Sequence, residues 1–385
     1  MSGRHFLQVP GPTNVPTRVL HAIAQPTIDH RSPEFAALTR EVLSGLQTVF
    51  GSSDPVVVFP ASGSGAWEAS LVNTLSPGDR VLAVENGEFA RMWAEVARRL
   101  GLDVQLVPGE WGRGVDPALI ESSLTEDSAH QVRAILIVHN ETSTGATTRM
   151  AEVRRAMDRV RHPALLLVDT VSSLASIEVC HDAWRSDVTL SGSQKGLMLP
   201  PGLGFNAVSA KALEASRSAR LPKYYWAWEP MLAANAAGFF PYTPATNLLF
   251  GLREALRMLN DEGLGRVFAR HRRLARATRA AARTWGLQIL CGAEDECSSI
   301  VTALVMPGGH DADALRALAY ERFDLSLGPG LGRLKGRVFR IGHLGDFNDL
   351  MLAGTLCGVE MSLACAGVPF TRGGVDAAMA ELETV

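Results

Sequence analysis

Two side chains set the chemical question. Lys195 stands in Ser191-Gly192-Ser193-Gln194-Lys195-Gly196, just past a run of small and apolar residues, and Asp169 ends the apolar run Leu165-Leu166-Leu167-Val168. Taken singly, neither demands a function. A lysine after a strand is ordinarily a solvated surface group, and an aspartate ending a strand ordinarily caps a turn. Their separation changes the reading, because 26 residues is one strand-crossover in an α/β protein and brings both groups to one edge of a sheet. An amine that can form an imine and a carboxylate that can pair with a pyridinium nitrogen are the two groups pyridoxal phosphate requires of a protein.

That cofactor also needs a cradle for its phosphate. Pro60-Ala61-Ser62-Gly63-Ser64-Gly65 follows an apolar run and opens a helix. Glycines let an anion approach the backbone, a helix N-terminus offers unpaired N–H groups, and the hydroxyls of Ser62 and Ser64 add donors. The segment is neither a Walker loop nor GxGxxG, so a nucleotide has little support. Asn86-Gly87-Glu88-Phe89 and His139-Asn140-Glu141-Thr142-Ser143-Thr144-Gly145 follow two further apolar runs. Polar groups after four parallel strands, together with Lys195, make one site at one sheet edge.

The elements that would position these groups follow from the apolar pattern. Strands are expected at 56–59, 80–85, 103–107, 134–140, 164–170, 187–193 and 204–209, with helices at 64–75, 89–100, 117–124 and 148–160. Such alternation describes a mostly parallel sheet buried on both faces and flanked by helices. The last three strands have little helix between them, so the sheet should be mixed. A helical stretch over 244–286 is interrupted at Gly263 and Gly265, which suggests a hinge near 262. A strand (299–306), a helix (311–322) and a strand (337–342) then make a smaller α+β domain. The expected organisation is an N-terminal arm (1–20), a large domain (21–262) and a small C-terminal domain (263–385).

Composition removes several classes of function. The chain has 385 residues, 46% of them hydrophobic and 20% charged, and a formal net charge of -3, so nothing draws it to nucleic acid or to anionic membranes. Seven arginines between Arg266 and Arg283 sit at helical spacing, without aromatic platforms, and read as a solvated helix face. Residues 350–368 approach the length of a membrane span, but Glu360 lies at the centre, and a buried helix is expected instead. Five scattered cysteines without ligand spacing read as reduced thiols in a cytoplasmic protein, and no metal site is expected. Trp226 and Trp228 are expected in a loop at a subunit interface or channel mouth.

Six segments in this order carry a family resemblance: Thr27-Ile-Asp-His-Arg-Ser-Pro33, Asn140 to Gly145, Val168-Asp-Thr-Val-Ser172, Ser191 to Gly196, Pro241-Tyr-Thr-Pro-Ala-Thr246 and Val338-Phe-Arg-Ile-Gly-His-Leu344. With Pro10-Gly-Pro-Thr-Asn14 ahead of them, the chain resembles the alanine/serine–glyoxylate aminotransferase branch of the class V, fold-type-I pyridoxal-phosphate enzymes. The resemblance implies that Lys195 forms the imine and Asp169 meets the ring nitrogen. It implies that Phe89 and Val171 flank the ring, that Thr142 lies near the phenolic oxygen, and that Ser62, Gly63, Ser64 and Gln194 hold the phosphate. Tyr242 and Thr243 would reach the phosphate of a second subunit in a homodimer. Arg340 would clamp the substrate carboxylate, with Gly11 beside it. Within the branch, the settings of Tyr242 and Arg340 are most similar to serine–glyoxylate enzymes, while aspartate–glyoxylate enzymes share nearly all the motifs. A cysteine desulfurase would place His before the lysine, where this chain has Gln194. A pyridoxal-phosphate-binding regulator would carry an added DNA-binding region or lack Lys195.

Overall fold

The computed structural model describes residues 3–384. Its strands, in chain order, are β1 (Phe6–Gln8), β2 (Val56–Ala61), β3 (Arg80–Glu85), β4 (Asp103–Pro108), β5 (Val132–Val138), β6 (Asn140–Glu141), β7 (Ala146–Thr147), β8 (Leu165–Asp169), β9 (Val188–Gly192), β10 (Gly202–Val208), β11 (Gln288–Ile289), β12 (Val301–Val305), β13 (Leu325–Pro329) and β14 (Val338–Gly342). The helices are α1 (Thr17–Ile23), α2 (Pro33–Phe50), α3 (Gly63–Thr74), α4 (Glu88–Arg99), α5 (Pro117–Glu126), α6 (Met150–Val160), α7 (His181–Trp184), α8 (Ala210–Ser218), α9 (Trp228–Ala236), α10 (Thr246–Glu262), α11 (Leu264–Trp285), α12 (Ala312–Phe323), α13 (Asp349–Cys365) and α14 (Gly374–Glu383).

The larger sheet has seven strands in the order β2-β10-β9-β8-β5-β3-β4. Only β10 runs against its neighbours β2 and β9, so the sheet is mixed, as the missing crossovers near residue 200 imply. Alternation along β2 shows why it is buried twice. Val57 and Phe59 pack with Trp67, Leu71 and Trp93, whereas Val56 and Val58 face Phe35, Leu46 and Phe205. Because β2, β3, β5, β8 and β9 point the same way, their C-terminal ends meet along one edge.

A second sheet, β1-β13-β14-β12-β11, packs with α11 to α14 around Trp285, Phe339 and Leu352. The N-terminal residues do more than lie across the molecule, because Phe6–Gln8 pairs in parallel with β13 as an edge strand. α10 and α11 are separate helices, parted at Gly263. α13 is a helix of the C-terminal core, with Glu360 accepting a hydrogen bond from Trp285 Nε1 at 2.8 Å. No helix among the described residues is long and apolar enough to cross a membrane.

Two expectations need correction. The arginines of α11 are not simply solvated. Arg270 pairs with Glu262, Arg273 with Asp349 and Arg276 with Glu381, and Arg279 is buried against Glu294 and the Ser298 carbonyl. They fasten the helix to its surroundings. Trp228 is not a loop residue at a mouth: it opens α9 inside the core and donates to Asn206 Oδ1 at 3.2 Å. Trp226 packs edge-on against Phe59 and donates to Glu68 at 3.2 Å.

Candidate active site

Asp169 is the last residue of β8 and is buried. Its Oδ1 accepts from the Val171 N–H at 2.6 Å and its Oδ2 from Trp67 Nε1 at 2.7 Å. Burial pushes its carboxyl up to about 7, although the two N–H donors hold it down and the Glu141 charge adds a smaller push. A carboxylate held at that cost is suited to a cationic partner, and a pyridinium N–H is one.

Lys195 follows β9 in a turn that begins at Ser193, whose hydroxyl donates to the Pro200 carbonyl and accepts from the Leu203 N–H. Burial lowers the ammonium to about 8, with the Arg340 charge adding and Asp169 opposing. Its Nζ donates to the Pro10 carbonyl at 2.5 Å. The N-terminal segment lies directly over it: Thr13 bonds the Gln194 and Lys195 carbonyls. Gly11, at φ +99°, leaves room for the lysine, since a Cβ there would sit 2.4 Å from Nζ. An amine lowered into this range spends an appreciable fraction of its time neutral at mildly alkaline pH, as a nucleophile or general base must.

Ser62, Gly63, Ser64, Phe89, Thr142, Asp169, Val171, Gln194 and Lys195 line one cleft of ≈ 120 Å³ that opens to solvent. The structure thus brings together nine of the residues singled out from the sequence. At its base is the start of α3. Ser62 stands at the N-cap in an extended conformation, yet its side chain makes no capping bond, so its hydroxyl and the first N–H groups of α3 remain free for an anion. Gln194 Oε1 is buried without a hydrogen-bond partner. The open helix terminus and the Asp169 carboxylate, which has no opposite charge in contact, fit a flat, phosphorylated pyridine ring lying between Phe89 and Val171. A larger cleft of ≈ 400 Å³ around Gly45 and Leu256 gathers no such set.

Arg340 is buried on β14. Nε donates to the Pro329 carbonyl at 2.7 Å and Nη1 to the Thr142 carbonyl at 2.9 Å. Among the described residues no carboxylate forms an ion pair with it, and burial lowers it to about 10. A guanidinium has five N–H groups, so donors remain for an incoming carboxylate.

Tyr242 and Thr243 stay outside this cleft. Tyr242 stacks on Tyr225 with ring centroids 4.5 Å apart and donates to the Tyr225 carbonyl, while Thr243 is exposed. Sequence reasoning missed Trp67, Asn140, Ser172 and the Pro10 carbonyl. Trp67 had a legible signal, because it lies one helical turn beyond Gly63 on the helix that carries the cradle. The Pro10 carbonyl had none, since only the folded course of the arm aims it at Lys195.

Comparison with known proteins agrees with this geometry. The family model described as aminotransferase class-V matches residues 5–330. The chain is 48% identical to the serine–glyoxylate aminotransferase of Methylorubrum extorquens, over 99% of this chain and 96% of that one. It is 43% identical to the L-aspartate–glyoxylate aminotransferase of Paracoccus denitrificans, over 98% of this chain and 96% of that one. Among solved structures, the ureidoglycine–glyoxylate aminotransferase of Bacillus subtilis superposes with a TM-score of 0.92 at 26% identity, covering 100% of this chain and 99% of that chain. A lysine and an aspartate lining one cleft that suits a phosphorylated ring, on a chain matched along most of its length, lead to one conclusion: this chain belongs to the class-V aminotransferase family, whose members work with pyridoxal phosphate.

Proposed function

We propose that the protein transfers an amino group from serine to glyoxylate, releasing hydroxypyruvate and glycine, with pyridoxal phosphate held by Lys195. The observation that carries this reading is the convergence of the Lys195 amine and the buried Asp169 carboxylate on one cleft, with buried Arg340 bonded to the carbonyl of Thr142 in its lining. When bound, the cofactor supplies an aldehyde for the amine and a ring that accepts electrons as the Cα proton leaves. Asp169 holds the positive charge at the ring nitrogen. Ser62, Gly63, Ser64 and Gln194 grip the phosphate, Thr142 lies toward the phenolic oxygen, and Phe89 and Val171 keep the ring from tilting. Arg340 fixes the α-carboxylate of donor and acceptor alike, with Gly11 leaving space beside it. Lys195 Nζ takes the proton from the substrate Cα.

Serine is favoured over aspartate by the state of Arg91. Aspartate needs a second cation, and Arg91 already gives two hydrogen bonds to Glu88, at 3.0 and 2.5 Å. Arg31, the other basic group that could meet a second carboxylate, is exposed. The position of half-buried Tyr242 and exposed Thr243 outside their own cleft supports a homodimer in which each serves its partner's phosphate. Five free cysteines favour a reducing, cytoplasmic setting. We place the division between large and small domains at the α10–α11 break, with residues 1–20 as an arm. Initial rates for serine, alanine and aspartate against glyoxylate test the reading. Serine is expected to have the highest kcat/KM; aspartate ahead of it by tenfold or more would overturn the serine assignment and leave an aspartate–glyoxylate enzyme.

A further inference from the structure

Glu141 ends β6, is wholly buried, and has no part in the reaction described above. Its Oε2 accepts from the N–H groups of Phe89 and Ala90, each at 3.1 Å. Its Oε1 accepts from the Ser143 N–H at 3.0 Å and the Ser143 hydroxyl at 2.6 Å. That hydroxyl accepts in turn from the Glu88 N–H at 3.0 Å. The first three N–H groups of α4 are therefore satisfied from a different segment, because the N-cap of α4 is Gly87 and no side chain of its own caps it. Gly87 is what lets the carboxylate in: a Cβ there would lie 2.2 Å from Glu141 Cγ. Burial raises the Glu141 carboxyl, and the Ser143, Ala90 and Phe89 donors oppose that rise; because donors point at both oxygens, the arrangement suits the ionised carboxylate, which only accepts. The next carbonyl along the chain, that of Thr142, is the one Arg340 Nη1 grips. Glu141 thus joins the helix that carries Phe89 to the segment that holds Arg340, and its charge supports that of Arg340 against burial.

We propose that Glu141 is a positioning residue, an internal counter-charge that fixes Phe89 over the cleft and balances Arg340 until a substrate carboxylate arrives. The proposal rests on the cleft being a pyridoxal-phosphate and carboxylate site. In Glu141→Gln the charge is lost, and the amide nitrogen meets N–H donors it cannot satisfy. Glu141→Asp keeps the charge and shortens the reach.

The test titrates pyridoxal phosphate into the cofactor-free protein and glycolate, a carboxylate with no carbonyl to react, into the holoenzyme. Glu141→Gln should weaken the cofactor several-fold and tighten glycolate several-fold, since Arg340 no longer shares its charge. Glu141→Asp should weaken the cofactor while leaving glycolate near wild type. Gly87→Ala, which crowds Glu141 without removing its charge, should behave like Glu141→Asp and serves if Glu141→Gln does not fold. If the variants move only the thermal midpoint, Glu141 is a helix cap and the proposal is wrong. A wild-type protein that does not bind pyridoxal phosphate would instead overturn the reading beneath it.

Discussion

Two helices, α3 and α4, begin after strands of the same sheet, and both present their N-termini toward the cleft without a capping side chain of their own. They are finished in opposite ways. At α4 the protein supplies an anion, Glu141, and the helix becomes a fixed mount for Phe89. At α3 it supplies none, and the Ser62 hydroxyl stays out of the cap. A helix terminus left open carries a free-energy cost that capping would recover, roughly 1 kcal/mol. The difference teaches where the fold keeps places for a ligand: at donors and charges left without protein partners. Asp169 and Arg340 share that property with α3, each buried without an opposite charge in contact. Open places should contact the ligand and govern binding and rate directly, whereas the filled place at α4 should act on the ligand through the groups that Glu141 positions.

The largest effect is expected at Asp169. Asp169→Asn should lower transamination by roughly 10²- to 10⁴-fold, the range for a positioned acid–base or charge effect. In the cofactor-free protein the same change should act in the other direction on stability. The Asp169 carboxyl titrates at about 7 when folded and near 3.8 when unfolded, so between these values the folded state holds a proton the unfolded state has lost. Stability therefore falls as pH rises through that window, by an amount on the order of a few kcal/mol. Thermal midpoints at pH 5 and pH 8 should show Asp169→Asn gaining on the wild type at the higher pH. A variant with near wild-type turnover would reduce Asp169 to a strand cap.

Arg340→Lys comes next. Losing two-point recognition should cost on the order of 10- to 150-fold in kcat/KM, the equivalent of about 1.5–3 kcal/mol, in both half-reactions. An effect confined to one half-reaction would mean that donor and acceptor carboxylates bind at different groups.

Ser64→Ala should have the smallest effect, raising the cofactor dissociation constant roughly tenfold through one lost charge-assisted hydrogen bond. Inorganic phosphate should protect the cofactor-free wild type against heat and should protect this variant less. Equal protection would place the anion away from α3 and break the comparison between the two helices.

Much of this was legible in the residues. The seven strands of the large sheet and the groups at their ends follow from apolar runs punctuated by polar residues, and Lys195, Asp169 and the α3 cradle all fall there. Helix α2 was passed over despite a clear start, with Ser32 accepting from the Phe35 N–H and Pro33 at the first helical position. Its apolar residues Phe35, Leu38, Val42, Leu46 and Val49 keep helical spacing, so the helix was legible in the sequence. β13 was missed for a physical reason: Leu325-Ser-Leu-Gly-Pro329 is short and ends in strand breakers, and its neighbour β1 lies over 300 residues away. Glu141 could not be assigned because its partners, Phe89 and Ala90, are about 50 residues earlier. Local pattern reports on local structure, and a tertiary cap leaves no local pattern.

The central claim is that Lys195 carries the cofactor, and the chain makes it easy to test because it has only four lysines: Lys195, Lys211, Lys223 and Lys335. Borohydride reduction of the holoenzyme followed by peptide mapping would fix the cofactor to the amine that holds it. The account predicts one label per chain, on Lys195. A label on Lys211, Lys223 or Lys335 in its place, or no label on a protein that has bound pyridoxal phosphate, would contradict it.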